Sequence, residues 1–150
     1  MSNESENNEE AAKGAQTVQD FLDRISRLNI RQKHKDWYLI DVLAILDGYN
    51  VEGYEVESTT GDSLIFLKKS LLYCSPELGV IRHYPKSLIH CFVEDCRAKE
   101  SDNDEYVFRG ELFSVTPESE QLCWIRECLE VYEIPEAQVA IAEWMKWLNQ

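Results

Sequence analysis

A chain of 150 residues with 44% hydrophobic side chains has the length of one domain, enough to bury about two thirds of the surface its unfolded form exposes. Its 28 acidic residues against 15 Lys and Arg give a net charge of -13, the wrong sign for a general nucleic-acid binder that neutralises phosphates. No apolar run approaches the roughly 20 residues of a bilayer span, and the polar, acidic start MSNESENNEE is the reverse of a signal or transit peptide.

A soluble, cytoplasmic protein is therefore expected. The five cysteines are odd in number and irregular in spacing, which suits reduced thiols in such a compartment. Residues 1–14 are a low-complexity polar stretch without the apolar groups that offset ordering entropy, so a disordered acidic tail is expected there. Residues 15–150 are expected to form a single α+β domain.

Val18, Phe21, Leu22, Ile25 and Leu28 recur at three and four, which predicts an amphipathic helix from Ala15. Arg24, Arg27, Arg31, Lys33 and Lys35 follow with no acid among them, the most uneven feature of the charge. They read first as cations favoured at a helix C-terminus or in a solvated linker, and second as a contact for an acidic surface. A second helix is predicted over Asp36 to Asp47, with Asp36 as N-cap and Gly48 as C′ residue. Its apolar side chains run nearly all round, which predicts burial on more than one side.

Val51 to Ser58 alternates, with Tyr54 and Val56 directed inward and Glu55 and Glu57 outward. Thr59-Thr60-Gly61-Asp62 forms the turn into a meander over Ser63 to Cys96. Leu64 to Cys74 reads as one strand or as two broken at Lys68-Lys69, followed by strands over Gly79 to Tyr84 and Leu88 to Asp95. Ala98 to Asp104 is a charged loop. Glu105 to Val115 alternates again, and Gly110 within it marks a bulge or a close backbone approach. Thr116-Pro117 has the form of a helix start, with Leu122, Ile125, Leu129 and Tyr132 as its buried stripe. Ile134-Pro135 opens a last helix carrying Ala137, Ile141, Trp144 and Leu148. The expected fold is α+β, a central antiparallel sheet of four to six strands with two N-terminal and two C-terminal helices.

The chemistry is read mainly by exclusion. Cys91 and Cys96 are an odd number apart on a predicted strand and point to opposite faces. Cys123 and Cys128, five apart on a predicted helix, diverge by roughly 140°. Neither pair suits one zinc ion, whose ligands favour closer spacing. No G-x-S-x-G, Walker or dinucleotide-binding pattern occurs. Glu100, Asp102, Asp104 and Glu111 match some calcium-loop positions, but Glu105 stands where the turn needs Gly. No cofactor or metal is expected. His83 or His90, paired in space with a carboxylate or cysteine, would be the site if the chain were a small enzyme.

The leading expectation is a non-catalytic interaction module, acting as inhibitor, immunity protein or adaptor by binding a basic surface of a partner protein. Its expected contacts are Glu55, Glu57, Glu120, Glu127, Glu130 and Trp147. Glu120, Glu127 and Glu130 are taken to share a helical face, and Trp147, about 60° off the buried stripe of its helix, is taken as a part-exposed anchor. Neither direct nucleic-acid binding nor membrane insertion is expected, and self-association is compatible with this reading.

Overall fold

The structure, a computed structural model, describes residues 3–96, 107–115 and 120–150, with side chains from residue 9 onward. The fold is α+β, and its strands are antiparallel. They form a sheet of four and a sheet of three rather than one central sheet. After Pro85 the chain enters a single 3-10 turn, Lys86–Leu88, and the next strand takes its partners from later sequence. Contacts divide the chain into two compact units, Met1–Pro85 and Lys86–Gln150, where one domain was expected over 15–150. Each is described by itself.

The first unit opens with α1, Asn3–Ser26. Helix is thus described from Asn3, through the stretch expected to be a tail. Glu, Ala and Lys there are strong helix formers. Side-chain bonds from Gln16 to Asp20 and from Gln19 to Asp23, each 2.9 Å, add local support. The helix stops at Ser26, so Arg24, Arg27, Arg31 and Lys35 form no continuous stripe. Lys35 instead donates to the Ser26 carbonyl at 2.8 Å, a cation satisfying a helix C-terminus.

The second helical run is α2 (Gln32–Trp37), a π turn (Tyr38–Val42) and α3 (Leu43–Leu46). It begins four residues before the expected Asp36, whose carboxylate accepts a bond from Gln32 inside the helix at 2.9 Å. Gly48 does follow the end as expected, with φ of 104°. The expected burial on several sides is overturned. Tyr38, Val42 and Leu46 are buried in one stripe, while Leu39 and Ile40 are 48% and 68% exposed. Steps of four drift about 40° per turn in a regular α-helix. The wider π turn takes back that drift and keeps the three on one line.

That stripe joins Phe21 and Ile25 of α1, and Leu28 just beyond its end, over the four-stranded sheet, where Ile65, Leu67, Leu72 and Cys74 meet it. The sheet runs β1 (Val51–Val56), β2 (Ser63–Leu67), β3 (Ser70–Ser75) and β4 (Val80–Pro85) in sequence order. Tyr54 and Val56 pack on the core as expected. The break at Lys68-Lys69 is the β2–β3 hairpin. Between β1 and β2, Gly61 takes φ of 79° and its N–H bonds the Glu57 carbonyl at 2.8 Å.

The second unit has β5 (Ile89–Asp95), β6 (Phe108–Ser114), β7 (Cys123–Cys128) and α4 (Ile134–Leu148). The helix expected after Thr116-Pro117 is corrected to a strand. Leu122, Trp124 and Cys128 are buried at even spacing, on one face of a strand, whereas Ile125, Leu129 and Tyr132 of the expected stripe are exposed. The segment fits either period. Pairing with β6, from Phe113↔Cys123 to Phe108↔Cys128, selects the strand. Among the described residues one C-terminal helix therefore stands where two were expected. Residues 97–106 and 116–119, which hold the acidic loop and Thr116-Pro117, lie outside the described residues.

Gly110 is a close approach, as its position suggested. A Cβ there would stand 2.6 Å from Ile141 Cγ1 and 3.4 Å from the Trp144 ring. Helix α4 lies on the sheet through Ala137, Ile141, Trp144 and Trp147, all buried. The expected half-exposure of Trp147 is corrected: it is 4% exposed. A sheet face is broad enough to take both 144 and 147, although they diverge around the helix. No helix among the described residues is long and apolar enough to cross a membrane.

Candidate functional site

A concavity in the first unit lies between α1 and the run α2–α3. It is a groove of about 880 Å³, within the range of ordinary ligand sites. Helix α1 supplies Ala11, Gly14, Ala15 and Val18 to one wall. Small residues at three- and four-residue spacing give a shallow wall on that side. The other wall carries Leu39, Ile40, Leu43 and Ala44. The π turn decides this: by holding Tyr38, Val42 and Leu46 to the core it turns Leu39 and Ile40 outward.

Gly14 sets how near α1 comes to the loop before β1. A Cβ there would overlap the Asn50 side chain and lie 3.5 Å from the Val51 nitrogen. Carboxylates stand at the rim, Glu10 on α1 and Asp47 at the end of α3, and no Lys or Arg is among the described lining residues. The carbonyl end of the run 32–46 also falls there, adding negative potential. The site is thus apolar within and acidic at the edge.

Sequence reasoning missed it. The nearly all-round hydrophobicity of residues 36–47 was the available signal. It was read as burial on several sides, when the second apolar face is in water.

The expected acidic contacts divide between the two units. Glu55 and Glu57 are half-buried on and beside β1 in the first unit. Glu57 is engaged in its own turn: its carboxylate accepts the Thr60 N–H at 2.8 Å and the hydroxyls of Thr59 and Thr60 at 2.6 to 2.7 Å. Burial pushes its carboxyl up, but these bonds outweigh burial and hold it down at about 2. A depressed carboxylate stabilises the fold fully above its ordinary 4.5, and the contribution is lost as pH falls toward 2. Glu57→Ala should therefore lower stability by about 1 kcal/mol at neutral pH. Urea unfolding near pH 2 should show little remaining difference.

Glu120, Glu127 and Glu130 are exposed in the second unit. With β7 a strand, they share no helical face. Glu127 is placed 3.9 Å from Arg109 on the neighbouring strand, and Glu111 is 3.6 Å from the same guanidinium. Trp147, expected as an anchor, is buried, with the Lys86 ammonium 4.9 Å from its ring centroid.

Neither His83 nor His90 has a carboxylate or thiol within hydrogen-bond reach among the described residues. His83 meets the Tyr49 ring edge-on at 5.9 Å, and His90 stacks on Phe113 at 5.8 Å. Cys74, Cys91 and Cys123 lack the lowered thiol pKa of an activated nucleophile. Burial pushes Cys74 up to about 12 and raises Cys91; burial and a bond to Glu111 raise Cys123. Activation needs the opposite shift. Cys123 and Cys128 lie on opposite faces of β7, one exposed and one buried, a divergence now set by strand parity.

A buried polar cluster sits under the β1–β2 turn. The Tyr38 hydroxyl donates to the Gly61 carbonyl and lies 2.9 Å from the Ser63 hydroxyl, while Tyr73 donates to Asp62 at 3.2 Å. Tyr38, Ser63 and Cys74 are wholly buried, so this cluster ties turn to helix and offers no substrate access.

No protein-family model matches the sequence, and searches of curated proteins and of solved structures give no match.

Proposed function

We propose that the chain is a non-catalytic acidic interaction module that docks a basic partner protein, in the manner of an inhibitor, immunity protein or adaptor. The observation that carries this reading is the groove of the first unit. Leu39 and Ile40 are left in water on a helical run whose opposite face is core, between rim carboxylates and with no cation in the described lining. Exposed apolar surface within a polar rim is the usual form of a protein-docking site. The excess of carboxylates, Glu120, Glu127 and Glu130 among them, favours fast, salt-sensitive association with a basic surface.

Burying Ile40 on docking contributes about 1.5–3 kcal/mol, so Ile40→Asp should weaken the complex roughly tenfold or more. The wild-type chain and the Ile40→Asp chain are used as baits in source cytosol at low and high salt. A basic protein should be held by the wild type at low salt, released by salt, and held much less by the variant. Retention that ignores both the substitution and the salt, or no retained basic protein, overturns the proposal.

A further inference from the structure

We infer that the groove between α1 and α2–α3 takes an amphipathic α-helix of the partner, with an apolar stripe flanked by Lys and Arg. The inference rests on the docking reading above and names the shape and charge of what docks.

The shape follows from the walls. Both are helical, and a helix satisfies its backbone N–H and C=O groups within itself. Such walls offer an incoming chain no ladder of free donors and acceptors. An extended segment pressed into the groove would bury its own backbone groups unpaired, at about 1–3 kcal/mol for each group. A helix arrives with those groups already bonded and presents only side chains. The shallow wall at Ala11 and Ala15 admits a helix backbone closely, and Leu39 and Ile40 meet its apolar stripe.

The charge follows from the rim. Glu10 and Asp47 stand at the groove, the run 32–46 ends there with its carbonyls, and no described lining residue is cationic. Cations flanking the stripe complement all three features. An acidic flank would meet like charge at close range.

The test uses the full chain as bait for a displayed library of random peptides of about 16 residues, long enough for roughly four helical turns. Baits are the wild type, Ile40→Asp, Leu39→Asp, and the double change Glu10→Lys with Asp47→Lys. Both Leu39 and Ile40 are exposed, and matching circular dichroism and urea midpoints check that the variants fold. The wild type should enrich peptides with apolar residues at helical spacing and net positive charge. Synthesised, these should bind roughly tenfold more weakly to either aspartate variant. The double lysine change should remove the preference for positive charge while keeping the helical spacing.

Enriched peptides that alternate apolar and polar at period two, and that lose affinity with Ile40→Asp, would overturn the helix while leaving groove docking intact. Peptides of net negative charge would overturn the basic flank. Enrichment that is the same on wild type and both aspartate variants, or none at all, would remove the groove as a docking site and the proposed function with it. A wild-type dimer that Ile40→Asp turns into a monomer would make a second copy the occupant and overturn the inference.

Discussion

Tyr38→Ala should lower the stability of the first unit by about 3–5 kcal/mol, the cost of removing a large, fully buried aromatic side chain. The ring is wholly buried, edge-on to Phe21 at 5.5 Å and beside Trp37 at 5.0 Å. Its hydroxyl ties the helical run to the β1–β2 turn through the Gly61 carbonyl and Ser63. Tyr38→Phe keeps the packing but leaves the Gly61 carbonyl without its donor and the Ser63 hydroxyl without its acceptor, so about 1–2 kcal/mol is expected. Urea unfolding followed by amide exchange in β1 to β4 separates this unit from the other. Equal losses for the two variants would show that the hydroxyl, not the ring, dominates.

The same residue sets a dependence on alkaline pH. Burial, chiefly, raises the Tyr38 hydroxyl well above its ordinary 10, and Tyr73 is raised as well. A group whose folded value is raised stabilises the fold fully below the unfolded value. That contribution is lost as pH rises through 10 and beyond. Tyr38→Phe should therefore flatten the fall in stability above pH 10, measured by urea midpoints across that range.

Gly110→Val should destabilise the second unit by about 3 kcal/mol, at the upper end of ordinary overpacking. A Cβ at 110 already stands 2.6 Å from Ile141 Cγ1, and Ile141 and Trp144 are buried on α4 with no free side to move into. Gly110→Ala meets the same atoms with less bulk and should cost about 1–2 kcal/mol. Combining Gly110→Ala with Ile141→Ala should give a total well below the sum of the single losses, because the second change empties the space the first one needs. Additive losses in urea unfolding would sink this account of the contact.

Local chemistry carried much of the fold. Gly48 and Gly61 mark places where the backbone turns left-handed, a conformation L side chains rarely adopt, so they stand out without a structure. Alternation over Val51 to Ser58 gave the inward Tyr54 and Val56. The three- and four-residue stripes of α1 and α4 gave their buried faces. Each rests on periodicity over several residues that only one element type matches.

Residues 122–132 fit either period. Leu122, Ile125 and Leu129 suit a helix, while Leu122, Trp124 and Cys128 suit a strand. The choice fell to the free edge of β6, the preceding strand, whose pairing the segment's own period does not reveal. The number of sheets was equally hidden, since strand count does not say which strands pair.

The candidate site turns on the same difference. Composition and charge alone determined an acidic chain rich in apolar helix, and placed apolar side chains nearly all round residues 36–47. Which of them reach water was decided by packing. The π turn aligns Tyr38, Val42 and Leu46 on the sheet, and α1 stops short of covering Leu39 and Ile40. A sequence specifies how many apolar faces a helix has. Only its neighbours specify which face they cover, because burial belongs to pairs of elements and not to one.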